Sequence, residues 1–139
     1  MAGLQAFVGS WREEEKAGFN EMADALGLPP EKKEFFKNAK TEITYAQDGD
    51  KWVITVGMQG VPNTRTFQFK LGEEYQSASL DGSPLTSKMT ADGDKFLEEH
   101  VDESMNNMKM LISRHIEGDK MVVVTKVGNL EMQSKYGRI

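Results

Sequence analysis

The sequence predicts an all-β domain in which two short helices interrupt an otherwise antiparallel chain. Three observations carry this. From residue 41 onward, apolar side chains recur at every second position over short runs, the period of a half-buried strand rather than of a helix. Three turn words echo one another between those runs: DGDK at 48–51, DGDK at 92–95 and EGDK at 117–120. Glycine supplies the positive φ of a tight hairpin, and the acid hydrogen-bonds to the turn backbone. Helical spacing of apolar residues falls between residues 19 and 39.

Taken in order, the first strand lies within residues 7–15, around Phe7, Gly9 and Trp11. Phe19, Met22, Ala23 and Leu26 then share a helical face, which Gly27 ends. Pro29 and Pro30 suit the first turn of a second helix, with Glu31 near its positive end. Leu28, Phe35, Phe36 and Ala39 supply its apolar contacts. The pair has the outline of a helix-turn-helix, but its acidic first helix is a poor DNA reader. Strands follow at 41–47, 50–58, 61–71, 74–80, 84–91, 95–102, 107–116, 120–127 and 130–136, making ten with the first. FQFKLGEEY at 67–75 alternates cleanly: Phe67, Phe69 and Leu71 share one face and Gln68 and Lys70 the other, until Gly72 breaks the run. Closing so long a sheet into a barrel removes its free edges, and the two helices can cover one mouth. The interior of such a barrel is either packed or encloses a ligand, and the pattern leaves both open.

Residues 1–139 fit a single domain. A 38% hydrophobic and 28% charged composition belongs to a folded soluble protein. The net charge of -5 argues against a nucleic-acid partner. The absence of cysteine excludes disulfides and zinc-thiolate sites. MAGLQAFVGSW lacks the basic-then-apolar layout of a secretory signal, and no run is long enough to span a bilayer. A cytoplasmic location is the expectation. The turn words lack the oxygen-ligand loop of a calcium site. His100 and His115, the only histidines, have no metal-ligand spacing. Glu98, Glu99 and Asp102 read as surface acids, no serine–histidine–acid arrangement is indicated, and no glycine-rich phosphate cradle is present. The chain is therefore expected to be no enzyme and to use neither metal nor cofactor.

FVGSW, followed by GFNEMADALG, DGDKWVITV, FKLGEEY, EGDKMVVV and MQSKY, occur in an order that runs nearly end to end. In these words the chain resembles the intracellular lipid-binding proteins, the calycin-like family of fatty-acid-binding and cellular retinoid-binding proteins. The resemblance implies a ten-stranded antiparallel β-barrel, or β-clam, with a two-helix lid. It implies a monomer that holds a small hydrophobic ligand non-covalently and carries it inside cells: a long-chain fatty acid or related lipid. A retinoid or other neutral apolar ligand is the alternative, and a ligand-free structural or protein-interaction barrel is a further one.

Family fatty-acid carriers often grip a carboxylate with two interior arginines and a tyrosine. Here Tyr136 matches, but Ser134 stands at one arginine position. Ungapped matching of LISRHIEGDK sets Ser113 at the other, so the adjacent Arg114 is expected to face outward unless a bulge changes the register. The resemblance thus implies a head-group site of neutral donors, Ser113, Ser134 and Tyr136, with His100 nearby. It places Phe19, Phe36, Met58, Phe67, Phe69, Asp81, Leu111 and Met132 around the cavity and its portal, near the turns at Gly57 and Asp81. Glu13 stands where the family is apolar and is expected to be enclosed in a structural hydrogen bond. The nine methionines suit a broad cavity, since thioethers adapt to irregular shapes. Lys32, Lys33, Lys37 and Lys40 give the second helix a basic face for transient contact with anionic membranes.

Overall fold

The computed structural model describes residues 3–25, 27–58, 64–78, 84–103 and 107–139. A 3₁₀ turn, Gly3–Phe7, precedes β1 (Gly9–Ala17). Helices α1 (Phe19–Ala25) and α2 (Pro30–Asn38) follow. The remaining strands are β2 (Thr41–Asp48), β3 (Lys51–Met58), β4 (Arg65–Phe69), β5 (Glu74–Ala78), β6 (Pro84–Asp92), β7 (Lys95–Asp102), β8 (Met108–Glu117), β9 (Lys120–Val127) and β10 (Leu130–Arg138). All belong to one antiparallel sheet, ordered β4-β3-β2-β1-β10-β9-β8-β7-β6-β5, which curls into a nearly closed barrel. The three turn words do what their glycines permit: Gly49, Gly93 and Gly118 sit at φ near +65° between paired strands.

The run FQFKLGEEY marks where the barrel fails to close. β4 and β5 are the two ends of the sheet, and no ladder joins them among the described residues. Gly72, at φ +85°, turns the chain, and its N–H donates to the Met89 carbonyl on β6 at 2.8 Å. The Phe69 and Tyr75 rings stack across the gap with centroids 5.3 Å apart. Leu71 lies beyond the end of β4 and is 38% exposed, so the alternation expected through it stops at Phe69.

One end of the barrel is solid. The sequence reading begins a strand at Phe7, whereas the chain forms a 3₁₀ turn there that drives this ring inside. Phe7 meets Phe96 at 4.6 Å and Tyr45 at 5.6 Å, and accepts a 2.9 Å bond at its carbonyl from the Trp11 indole N–H. Trp52, Phe69, Met89 and Met121 belong to the same core. Burial of such side chains contributes about 1.5–3 kcal/mol each, and aromatic pairs about 0.5–1.5 kcal/mol more. The helices cap the other end. Met22 and Ala23 are buried beneath α1, which packs on β10. Pro30 occupies the first turn of α2 as its sequence indicates, and Lys33 clips it to Asp24 of α1 at 2.7 Å. Gly27, at φ +69°, makes the link between them.

Candidate functional site

Between the helical cap and the aromatic end lies a cavity of about 270 Å³, near the lower end of the ~300–1,000 Å³ usual for ligand pockets. Its apolar wall comes from both layers: Phe19 and Met22 of α1, Phe36 of α2, Met110 and Ile112 of β8, and Met132 of β10. Its polar wall carries Glu13, Lys16, Thr41, Asp102, Arg114, Ser134 and Tyr136. A cavity with an apolar wall and a separate polar one suits a ligand that has a tail and a small head.

Of the residues expected at the site, Phe19, Phe36, Met132, Ser134 and Tyr136 lie on this wall. Ser134 and Tyr136, two residues apart, share the inward face of β10 and are both buried. Phe67 and Phe69 face inward too, but they pack against the aromatic core rather than on the cavity. Met58 is instead part of an outer groove beside Phe35 and Ala39 of the lid. Asp81 lies outside the described residues.

β8 overturns the expected register. Leu111 is 49% exposed and points away from the cavity. Ser113 shares its face and pairs with the exposed Leu97. The inward series is Met110, Ile112 and Arg114, with Arg114 opposite the fully buried Phe96. Arg114, not Ser113, is therefore the β8 polar group at the site. The ungapped match was one residue off, and in a strand one residue reverses every side chain.

Arg114 is accompanied by a carboxylate that sequence reasoning set on the surface. Its Nε–H donates to Glu98 Oε2 on β7. Glu98 Oε1 lies 2.8 Å from His100 Nε2, and His100 Nδ1 lies 2.6 Å from Ser87 Oγ, which meets Ser77 Oγ at 2.7 Å. With the imidazole proton on Nε2, the bonds run in one direction, from Ser77 through Ser87 and His100 to Glu98. Burial alone would push the Glu98 carboxyl up, yet the guanidinium and the imidazole hold it down to about 2. Asp102 is also buried, whereas Glu99 stays outside with Lys109 at 3.0 Å. The reason is an inverted strand: in β7, Leu97 and Val101 face outward while Glu98, His100 and Asp102 face in with Phe96. His100 is thus inside but off the cavity wall, held at both ring nitrogens. Ser87, His100 and Glu98 form a serine–histidine–acid contact that the sequence does not indicate. Ser87 is 1% exposed and is not on the cavity wall, so these bonds read as a buried brace across the sheet.

Among the described residues, two buried side-chain atoms have no partner: Arg114 Nη1 at this site and the Tyr45 hydroxyl in the aromatic core. Burial pushes the Tyr45 phenol well above its usual range, and burial together with the Glu13 carboxylate pushes Tyr136 up to about 12. Both are neutral donors at physiological pH.

Glu13 is enclosed, as expected of its position, and Lys16 is its partner at 3.3 Å. Ladder pairing of β1 with β10 slips between Glu13 and Glu15, so Glu14 is an extra residue. This bulge re-aims Lys16 into the cavity. There its ammonium donates to the Phe36 carbonyl and, at 2.9 Å, to that of Ala39, tying the end of α2 to the barrel.

The ten-stranded barrel, its lid and its tail-and-head cavity together define a small-ligand-binding β-clam. No family model matches the chain. It is 30% identical to fatty acid-binding protein type 2 of Fasciola hepatica, over 90% of this chain and 92% of that one. It is also 30% identical to a fatty acid-binding protein of Clonorchis sinensis, over 97% and 99% of the two chains. The chain belongs to the fatty-acid-binding protein family. The fold of a Schistosoma mansoni fatty acid binding protein in complex with arachidonic acid superposes with a TM-score of 0.86 at 23% identity, covering 99% of this chain and 98% of that one.

Proposed function

We propose that the protein binds a fatty acid or a closely related acyl lipid non-covalently in this cavity and carries it through the cytoplasm as a monomer, without altering it chemically. The observation that carries this reading is the apolar cavity beneath the helices, with Ser134, Tyr136 and Arg114 on its wall. Transfer of each methylene from water to such a wall contributes about 0.8 kcal/mol, while the polar wall orients the head. Family membership supports the reading, as does the arachidonic acid held by a structural neighbour. Of the four lysines expected on a basic face, Lys32 lines the cavity instead; Lys33, Lys37 and Lys40 would bring the lid transiently to an anionic bilayer, where ligand is exchanged.

Native mass spectrometry after gentle purification tests the central claim. A recurrent bound lipid, replaced one-for-one when delipidated protein is titrated with acyl ligands, is the expected result. A protein that purifies empty and rejects fatty acids, retinoids and apolar dyes is instead a closed structural barrel.

A further inference from the structure

Arg114 is the cation that a carboxylate head group would seek, but its charge is already matched. Glu98 accepts from its Nε, and both Glu98 oxygens are engaged, one by Arg114 and one by His100. The second cation near the head of the cavity, Lys16, is matched by Glu13 and bound to two lid carbonyls. Among the described residues, the cavity wall and the Glu98 behind it present three acidic groups, Glu13, Glu98 and Asp102, against three basic ones, Lys16, Lys32 and Arg114. A bound carboxylate would add a fourth negative charge to a charge-balanced, largely apolar cavity, where unmatched charge is costly. Hydrogen-bonding capacity, by contrast, is left over. Arg114 Nη1 is buried without a partner, and Ser134 and Tyr136 supply two hydroxyls on the cavity wall. A hydroxyl or carbonyl oxygen satisfies such donors without bringing charge.

We infer that this site selects an acyl lipid with a neutral head, an alcohol or a carboxamide, over the corresponding carboxylate, and that Glu98 sets the preference by occupying Arg114. This refines the proposed function and rests on it. Glu98 acts through Arg114 and does not itself line the cavity.

The test uses delipidated protein and three ligands sharing one tail: tetradecanoate, 1-tetradecanol and tetradecanamide. Each displaces a fluorescent apolar dye at neutral pH. The unmodified protein should bind the alcohol and the amide at least tenfold more tightly than the acid. Glu98→Gln frees the guanidinium of its counter-charge and should move the acid-to-alcohol ratio at least tenfold toward the acid. An ordinary structural role for Glu98 would weaken all three ligands together and leave the ratio unchanged. Ser134→Arg leaves the Glu98 pair in place, adds a cation to the same wall and should shift the ratio the same way. It keeps the question open to test should Glu98→Gln not fold. Tighter binding of the acid by the unmodified protein, or a ratio unmoved in a folded variant, overturns the inference while leaving acyl-lipid carriage standing. Failure of all three ligands to displace the dye overturns both.

Discussion

A carboxylate as deeply buried as Glu98 stays ionised only because Arg114 and His100 meet both of its oxygens. That arrangement makes stability depend on pH in a definite direction. The folded-state carboxyl titrates near 2, against a usual 4.5. Because its pKa is depressed on folding, its contribution is complete above about pH 4.5 and is lost as the pH falls toward 2. At about 1.4 kcal/mol per pH unit, that interval corresponds to about 3 kcal/mol. Urea denaturation between pH 6 and pH 2 should show this loss in the unmodified protein and lack it in Glu98→Gln. Equal acid slopes for the two proteins would remove Glu98 from the account. The sequence alone shows Glu98 and His100 two apart, sharing parity with Phe96. Leu97 and Val101 make the opposite face look like the buried one, so local alternation points the wrong way.

At the scale of elements, the lid is held by backbone geometry and by one lysine. Gly18 joins β1 to α1 at φ +81°, and a Cβ there would stand 2.7 Å from the Glu131 carbonyl oxygen of β10. Both the conformation and the contact exclude a side chain, so Gly18→Ala should destabilise the protein by about 1–3 kcal/mol. A shift of the chemical denaturation midpoint with an unchanged slope is the readout. Lys16 ties the end of α2 to the barrel and neutralises Glu13. Lys16→Ala leaves a buried carboxylate without its counter-charge, a loss of about 3 kcal/mol. Amide hydrogens in α2 should exchange faster than those of β9, and bound lipid should leave sooner. Uniform exchange throughout the molecule would mean that Lys16 is not a lid fastening. Both helices are legible from spacing, Gly27 and the Pro29–Pro30 pair, because those signals are local. The role of Lys16 is not, because it depends on a bulge in the pairing of strands more than a hundred residues apart.

Across the whole molecule, the barrel divides into a solid aromatic end and a hollow lidded end. Substitutions at the two ends should therefore separate stability from capacity. Phe69 sits within the aromatic core, so Phe69→Trp should overpack it and cost about 1–3 kcal/mol while leaving ligand stoichiometry intact. Ile112 lines the cavity, and Ile112→Trp should fill part of its roughly 270 Å³, lowering acyl-lipid affinity at least tenfold with little change in the denaturation midpoint. Calorimetric titration and urea denaturation of the two variants decide this together. A loss of binding in Phe69→Trp matching that in Ile112→Trp would mean that ligand reaches the aromatic end.

The sequence made legible the strands, the hairpin glycines, the two helices and the shared face of Ser134 and Tyr136, while the resemblance implied that this face is the inner one. Each of the former follows from a period or a turn conformation spanning a few residues. It also carried, in the order of its motifs, the resemblance that implied the barrel. Only the tertiary structure decided that Arg114 rather than Ser113 faces the cavity, that Leu111 and Met58 lie off it, and that Glu98 and Asp102 are inside. Those outcomes depend on which residue opposes which across the sheet, and a one-residue change in register exchanges the two faces of a strand. The size of the cavity was decided there too, because it is the space left after Phe7, Phe96 and their neighbours fill one end. No short window of sequence contains that remainder.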